Sequence, residues 1–352
     1  MKNIDVKNIE LLSPAGSFEC VKSAISGGAD AIYMGGEKFS ARAFAKSAEE
    51  NSIIDSIIYT KKNGKKFYLT VNTLFKQKEL KEIFLYIDPL VSEGVDAFIV
   101  QDLGVAMLLK DRYKNVALHA STQMNITSSK AVNLVRELGF SQVVLARELS
   151  LKEIKEIRKE VRDDIKLECF IHGSMCYCYS GCCLMSSFIG GESGNRGRCK
   201  GPCRLPYTTR TGAKQPVGAS TASPHAPYII SMKDMCALDS LANLINAGVT
   251  SFKIEGRMRK PEYVYGTTKT YRKYIDNIIS NLDSSIVGAK QNVEAKQNVG
   301  ESTASPLSSD KLCDFNIKND EKYLLDLYNK GGFTNYYNEH NNVDMIQKYE
   351  RN

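Results

Sequence analysis

No stretch of this sequence is apolar for long enough to cross a membrane as a helix, which needs about 20 consecutive apolar residues. The opening residues, Met1-Lys-Asn-Ile-Asp-Val-Lys-Asn-Ile-Glu10, lack the apolar core of a secretory signal, so a cytoplasmic protein without membrane contact is expected. Histidine is scarce: His119, His172, His225 and His340 are all there are. None belongs to a His-Glu-x-x-His pair, which excludes that class of zinc hydrolase, and no Gly-x-Ser-x-Gly elbow is present. The first strand-turn, Ser13-Pro-Ala-Gly16, lacks the Gly-x-Gly-x-x-Gly fingerprint and so argues against a dinucleotide fold. Neither charge sign dominates. With 47 Lys and Arg against 40 Asp and Glu, the formal charge of +7 permits a polyanionic partner without requiring one.

What the chain does have is cysteine, and most of it in one place. Seven of its ten cysteines fall between Cys169 and Cys203. In a reducing compartment such a cluster points to metal or redox use ahead of disulfides. Thiolates are soft donors that select zinc or an iron–sulfur centre, and the surrounding Gly and Ser residues let a loop wrap a metal. Cys176, Cys183, Cys199 and Cys203 are the expected ligands, with six, fifteen and three residues between them. Zinc sites favour two tight Cys-x-x-Cys knuckles, which neither half offers, so a 4Fe–4S cluster is expected and zinc is the alternative. Cys236 is the substitute ligand. Cys20, Cys169 and Cys313 read as core thiols.

Short apolar runs alternate with helical patterns from residue 9 to about residue 275. Strands are expected at 10–13, 31–34, 67–71, 97–100, 116–119, 142–146, 166–171 and 251–254. Helices are expected at 18–26, 80–93, 131–138 and 151–161, several ending at a Gly stop signal. Eight strand-then-helix units are what a (β/α)8 TIM-barrel-like α/β fold requires; a doubly wound open sheet is the rival. The cysteine-rich segment then reads as a cluster-binding insertion after strand 7. Polar residues follow most strands, where barrel active sites gather: Asn72, Gln101, Asp102, Ser121 to Gln123, Arg147, Glu148, His172, Glu255 and Arg257.

The expected organisation is a barrel domain over 1–277 that includes the cysteine-rich segment 168–207. Flexible insertions are expected at 208–227 and 285–308, followed by a helical C-terminal extension over 309–352. Both insertions share the words Gly-Ala-Lys-Gln and Ser-Thr-Ala-Ser-Pro, a composition that cannot bury enough apolar surface to order itself.

The cysteine run resembles the signature of the collagenase-like peptidase family U-32, through Glu168, Phe170, His172-Gly173, Cys176, Gly181, Cys183 and Ser186. Leu11-Leu-Ser-Pro-Ala-Gly16, Gly28-Ala-Asp-Ala-Ile-Tyr33, Asn195-Arg-Gly197, Phe252-Lys-Ile-Glu-Gly-Arg257 and Leu327-Tyr-Asn-Lys-Gly-Gly-Phe-Thr334 are similar to the family as well. The likeness spans roughly residues 9 to 340. It implies cluster proteins of oxygen-independent hydroxylation whose substrates are tRNA uridine, ribosomal RNA cytidine or a quinone precursor. The tRNA branch is the most similar, through Cys199-x-x-x-Cys203-Arg204-Leu-Pro-Tyr207, and it implies prephenate as the hydroxyl source and 5-hydroxyuridine as the product. Many members carry a further C-terminal domain, which a chain of this length is expected to lack.

Roles for individual residues follow. Arg196, Arg198, Lys200 and Arg204 flank two ligands, where their charge would stabilise thiolates and attract an RNA backbone or a dicarboxylate. Lys253, Glu255, Arg257 and Arg259 alternate off the last strand. Arg257 and Arg259 suit a carboxylate grip, and a structural salt bridge of Glu255 with Lys253 or Arg257 is the rival. The expected catalytic set is His172, Glu255 and Arg257; substrate binding falls to Arg147, Lys253, Arg259, Arg196 and Arg204. Tyr177 and Tyr179 could stack on a base. A protease is the alternative function, with a His172–Cys176 dyad its one conceivable nucleophile; a binding module with a structural metal is the third. The sequence leaves homo- and hetero-oligomers equally open.

Overall fold

A computed structural model describes residues 9–36, 38–41, 50–207, 228–294, 316–335 and 337. Seven strands, β1 (Glu10–Pro14), β2 (Ala31–Met34), β3 (Lys66–Val71), β4 (Ala97–Val100), β5 (Ala117–Ala120), β6 (Gln142–Val144) and β7 (Lys166–Ser174), pair in chain order, all parallel. An eighth, β9 (Ser251–Ile254), pairs in parallel with both β1 and β7 and closes the ring. This is the (β/α)8 barrel expected, and closure excludes the open sheet. Helices α1 (Phe18–Ser26), α2 (Glu50–Lys62), α3 (Ile83–Ser92), α4 (Leu103–Arg112), α5 (Ser129–Glu137), α6 (Leu151–Glu160), α8 (Leu241–Asn246) and α9 (Pro261–Glu294) accompany the ring.

Local sequence explains these elements. Ser17 caps α1 by accepting from Cys20 N, and Ser150 with Glu153 forms a capping box on α6. Strand residues alternate between two environments, as a pleat requires. Leu12, Ala31, Tyr33, Tyr68, Ala97 and Ile99 pack inside the barrel. Their neighbours Leu11, Ile32, Phe67, Leu69, Phe98 and Val100 face the helices in the larger core.

Two strands were not expected. β8 (Asp234–Cys236) runs antiparallel to the end of β7, and β10 (Phe333–Thr334) lies parallel to β8. Three- and two-residue strands leave no periodic pattern in a sequence. Together with α10 (Ile317–Leu327) they bring the C-terminal extension onto the barrel mouth. Helix α9 passes the expected boundary at 277 and continues into the start of the second low-complexity segment. The rest of that segment, the 208–227 insertion, Cys313, His225 and His340 lie outside the described residues. Among the described residues, no helix is long and apolar enough to cross a membrane.

Candidate active site at the barrel mouth

The cysteine-rich segment leaves β7 at Ser174 and crosses the C-terminal end of the barrel. Gly173 has φ +106°, and a Cβ there would lie 2.6 Å from the Glu255 carbonyl, so this exit needs glycine. Gly181 has φ +74° and seats directly on the turn after β5, where an added Cβ would lie 2.1 Å from the Gln123 carbonyl. Side chains pin the rest. Glu148 Oε1 accepts from Ser180 N at 2.7 Å and from its hydroxyl at 3.1 Å. Arg196 grips the Glu79 carboxylate and the Leu74 carbonyl in the loop after β3. Arg204 donates to the carbonyls of Met175 and Met232 and to Ser231 Oγ at 3.1 Å. The two arginines expected to bind substrate therefore hold the segment down.

Cys176 and Cys199 are exposed, while Cys183 and Cys203 are half-buried. Burial raises the Cys203 thiol, Arg204 opposes this, and Cys176, Cys199 and Cys183 add to the rise. Cys203 thus senses the other three, which places all four thiols on one surface. Gly201 N donates to Cys199 Sγ at 3.3 Å. Among the described residues, no three His, Cys, Asp or Glu side chains stand close enough to hold a metal ion as placed. The donor chemistry fits a thiolate-ligated centre, and binding would have to draw the four together.

Cys236 is elsewhere. It sits on β8, buried, accepting from Tyr271 Oη at 3.6 Å, and burial pushes its thiol up to about 12. Cys20 and Cys169 are core residues.

Beside the thiols, three cations converge on Ser174. Its Oγ accepts from Lys330 Nζ at 2.7 Å and from Arg259 Nη2 at 3.0 Å, and its carbonyl accepts from Arg147 Nη1 at 3.0 Å. Burial opposes the Arg147 charge, but Cys176, Glu148 and Glu255 outweigh it and hold this guanidinium above its usual value. Arg259 also stacks 3.4 Å from the Tyr328 ring centroid. Lys330 is pushed down to about 8 by burial, with Asp234 pulling the other way. Asp234 is buried on β8, which raises its carboxyl, and lies 3.9 Å from Lys330. Glu255 acts electrostatically on Arg147, Lys330 and Asp234. Ser174, Asp234 and Lys330 escaped the sequence reading. Lys330 had one signal: it lies within Leu327-Tyr-Asn-Lys-Gly-Gly-Phe-Thr334.

The remaining expected residues scatter. Arg257 sits across the mouth, donating to Ser40 Oγ and Thr70 Oγ1 at 2.8 Å each. Lys253 lies inside the barrel, paired with Glu168 at 2.9 Å and not with Glu255. His172 is buried outside the ring, against Tyr263, Tyr271 and Phe333. Its Nδ1 is 3.2 Å from Tyr271 Oη, its Nε2 has no hydrogen-bond partner, and burial pushes it down to about 3. Neither ring nitrogen reaches Cys176, so the dyad is not formed. Tyr177 and Tyr179 are exposed on the cysteine segment.

A closed parallel barrel whose mouth carries a four-thiol loop and a cationic recess defines the class of protein. The chain belongs to peptidase family U32, whose sequence model matches residues 16–309. It is 40% identical over 271 residues to a 23S rRNA 5-hydroxycytidine synthase of Escherichia coli, covering 77% of this chain and 40% of that protein. A tRNA hydroxylation protein of Bacillus subtilis is 35% identical over 286 residues, covering 81% of this chain and 67% of that one. A protein of Porphyromonas gingivalis named collagenase is 32% identical over 283 residues, covering 78% and 67%. The chain thus spans between 40 and 67% of the length of these relatives.

Proposed function

We propose that this chain acts in oxygen-independent hydroxylation of RNA, with tRNA uridine converted to 5-hydroxyuridine, a 4Fe–4S cluster as cofactor and a small dicarboxylate such as prephenate as the hydroxyl source. The observation that carries the reading is the juxtaposition at the mouth: four thiols on one surface, next to three cations around Ser174. Cys176, Cys183, Cys199 and Cys203 would hold the cluster, with Arg147 and Gly201 N placed to stabilise thiolate charge. A bound cluster supplies electron transfer or a Lewis-acidic iron. The chain's own residues do the rest. Arg259 and Lys330 offer donors to a carboxylate, and Arg147 holds Ser174 in place for them. Glu255, among these cations, can take or return a proton at the mouth. The relatives named for rRNA and tRNA hydroxylation support RNA as the target.

Peptide hydrolysis, suggested by the collagenase-named relative, has lost its candidate nucleophile, since His172 is buried away from Cys176. Deleting the gene should remove a hydroxylated pyrimidine from RNA, read by mass spectrometry of digested nucleosides. Complementation should succeed with wild type and fail with Cys199→Ser. An unchanged nucleoside profile would refute the reading. Protein purified without oxygen should contain about four irons and four sulfides per chain, the content of one such cluster.

A further inference from the structure

Opposite the cationic recess, the mouth is lined by carboxamides. Inward-facing positions alternate along each strand, so the inside pair Ala97 and Ile99 on β4 continues to Gln101, and Tyr68 on β3 continues through Thr70 to Asn72. The amides bond to one another in sequence. Asn72 is fully used: its Oδ1 accepts from Ala41 N at 3.0 Å and its Nδ2 donates to Ser121 Oγ at 3.4 Å. Gln123 Nε2 donates to the Asn72 carbonyl at 3.2 Å. Gln101 Nε2 donates to the Gln123 carbonyl at 3.2 Å, the same carbonyl that Gly181 of the cysteine segment rests against.

That last bond fixes which way Gln101 points its amide. A carbonyl can only accept, so the nitrogen must face Gln123 and the oxygen must face away. Gln101 Oε1 is buried and has no hydrogen-bond partner. A buried acceptor left unmade is costly, and at the mouth of a barrel it is matched when a ligand brings a donor. The charged recess cannot supply this donor, because its cations are committed to Ser174.

We infer that Gln101 reads the target base: its Oε1 accepts a ring N–H, which selects uracil, whose N3–H is a donor where cytosine N3 is an acceptor. The inference rests on RNA being the substrate and adds the residue that discriminates the base. It also gives the conserved-length turn after β5 a task. Gln123 orients Gln101 through its carbonyl while the cysteine segment seats on that carbonyl, so base reading and the thiol surface share one support.

The test is binding of uridine heptamers by the full chain, followed by fluorescence anisotropy. A heptamer with a central 3-methyluridine lacks one N3–H, and a cytidine heptamer presents acceptors instead. Wild type should bind the uridine heptamer about tenfold more tightly than either, the discrimination expected when a buried acceptor is left unpaired. Gln101→Met should bind all three alike, with melting temperature and iron content unchanged. Gln101→Glu keeps an oxygen at the position and should retain the preference for uridine. The inference is overturned if wild type accepts 3-methyluridine as well as uridine, or if Gln101→Met keeps the preference. The two readings fail separately. Loss of a hydroxylated nucleoside in the deletion strain, without discrimination by wild type, removes the role of Gln101 alone. Discrimination through Gln101 with an unchanged nucleoside profile removes hydroxylation alone.

Discussion

The floor of the barrel and its mouth are built from the same residue types and behave in opposite ways. On the floor, Ser251 Oγ donates to Glu168 at 2.9 Å and reaches Glu10 at 3.3 Å, Tyr68 donates to Glu10 at 2.7 Å, and Lys253 closes on Glu168 at 2.9 Å. Every charge there has a counter-charge and is sealed from water. At the mouth, Arg147, Arg259 and Lys330 share one serine, and Gln101 Oε1 and Asp234 Oδ1 lack hydrogen bonds. A saturated network stabilises a fold; an unsaturated one waits for a ligand.

The sharpest way to break this contrast is to open the floor. Glu168→Ala leaves the Lys253 ammonium buried and alone, so urea unfolding should show a loss of about 3–5 kcal/mol. Replacing both partners with apolar residues should recover much of that.

Acid attacks the interior next. His119 packs edge-on against Tyr68, and burial, aided by Lys253, pushes it down to about 3. Its folded value lies below the unfolded one of about 6.5. Between those two values the unfolded chain binds the extra proton, so stability falls as pH drops from about 6.5 towards 3. The loss is on the order of a few kcal/mol. His119→Phe should flatten this slope in thermal melts across that range.

Arg204→Ala should cost about 1–3 kcal/mol through its lost hydrogen bonds. Its clearer readout is limited proteolysis, which should begin to cut within 175–207. Iron content should fall partially, whereas Cys183→Ser should remove most of the iron and Cys236→Ser should spare it.

The smallest effect on stability belongs to the mouth. Glu255→Gln is expected to shift unfolding by no more than about 0.5 kcal/mol, as surface-facing changes do. If the mouth is the functional site, the same change should lower RNA hydroxylation by about tenfold or more, with RNA binding little altered. A large stability loss with normal hydroxylation would make the mouth a second floor.

Much of the barrel was legible because its signals are local. Apolar runs of four to six residues, helix stops at Gly64, Gly94, Gly139 and Gly248, and caps such as Ser150 with Glu153 each act within a few residues. The cysteine spacing likewise singled out one loop. What could not be read was partnership. Lys253, Glu255, Arg257 and Arg259 stand within seven residues of one another, yet one joins the floor, one the far side of the mouth and two the cationic recess. Strand alternation sends neighbours to opposite faces, and the turn after β9 then redirects the chain.

By itself, then, the sequence determined the alternation of strands and helices, the thiol-rich loop and membership in a family. The tertiary structure alone decided that Arg196 and Arg204 are anchors, that His172 is walled off from Cys176, and that Lys330 reaches Ser174 from 156 residues away. The reason is physical. Secondary structure is set by backbone sterics and side-chain periodicity over a few residues, whereas a charge acquires its role from whatever the closed barrel places within about 4 Å of it.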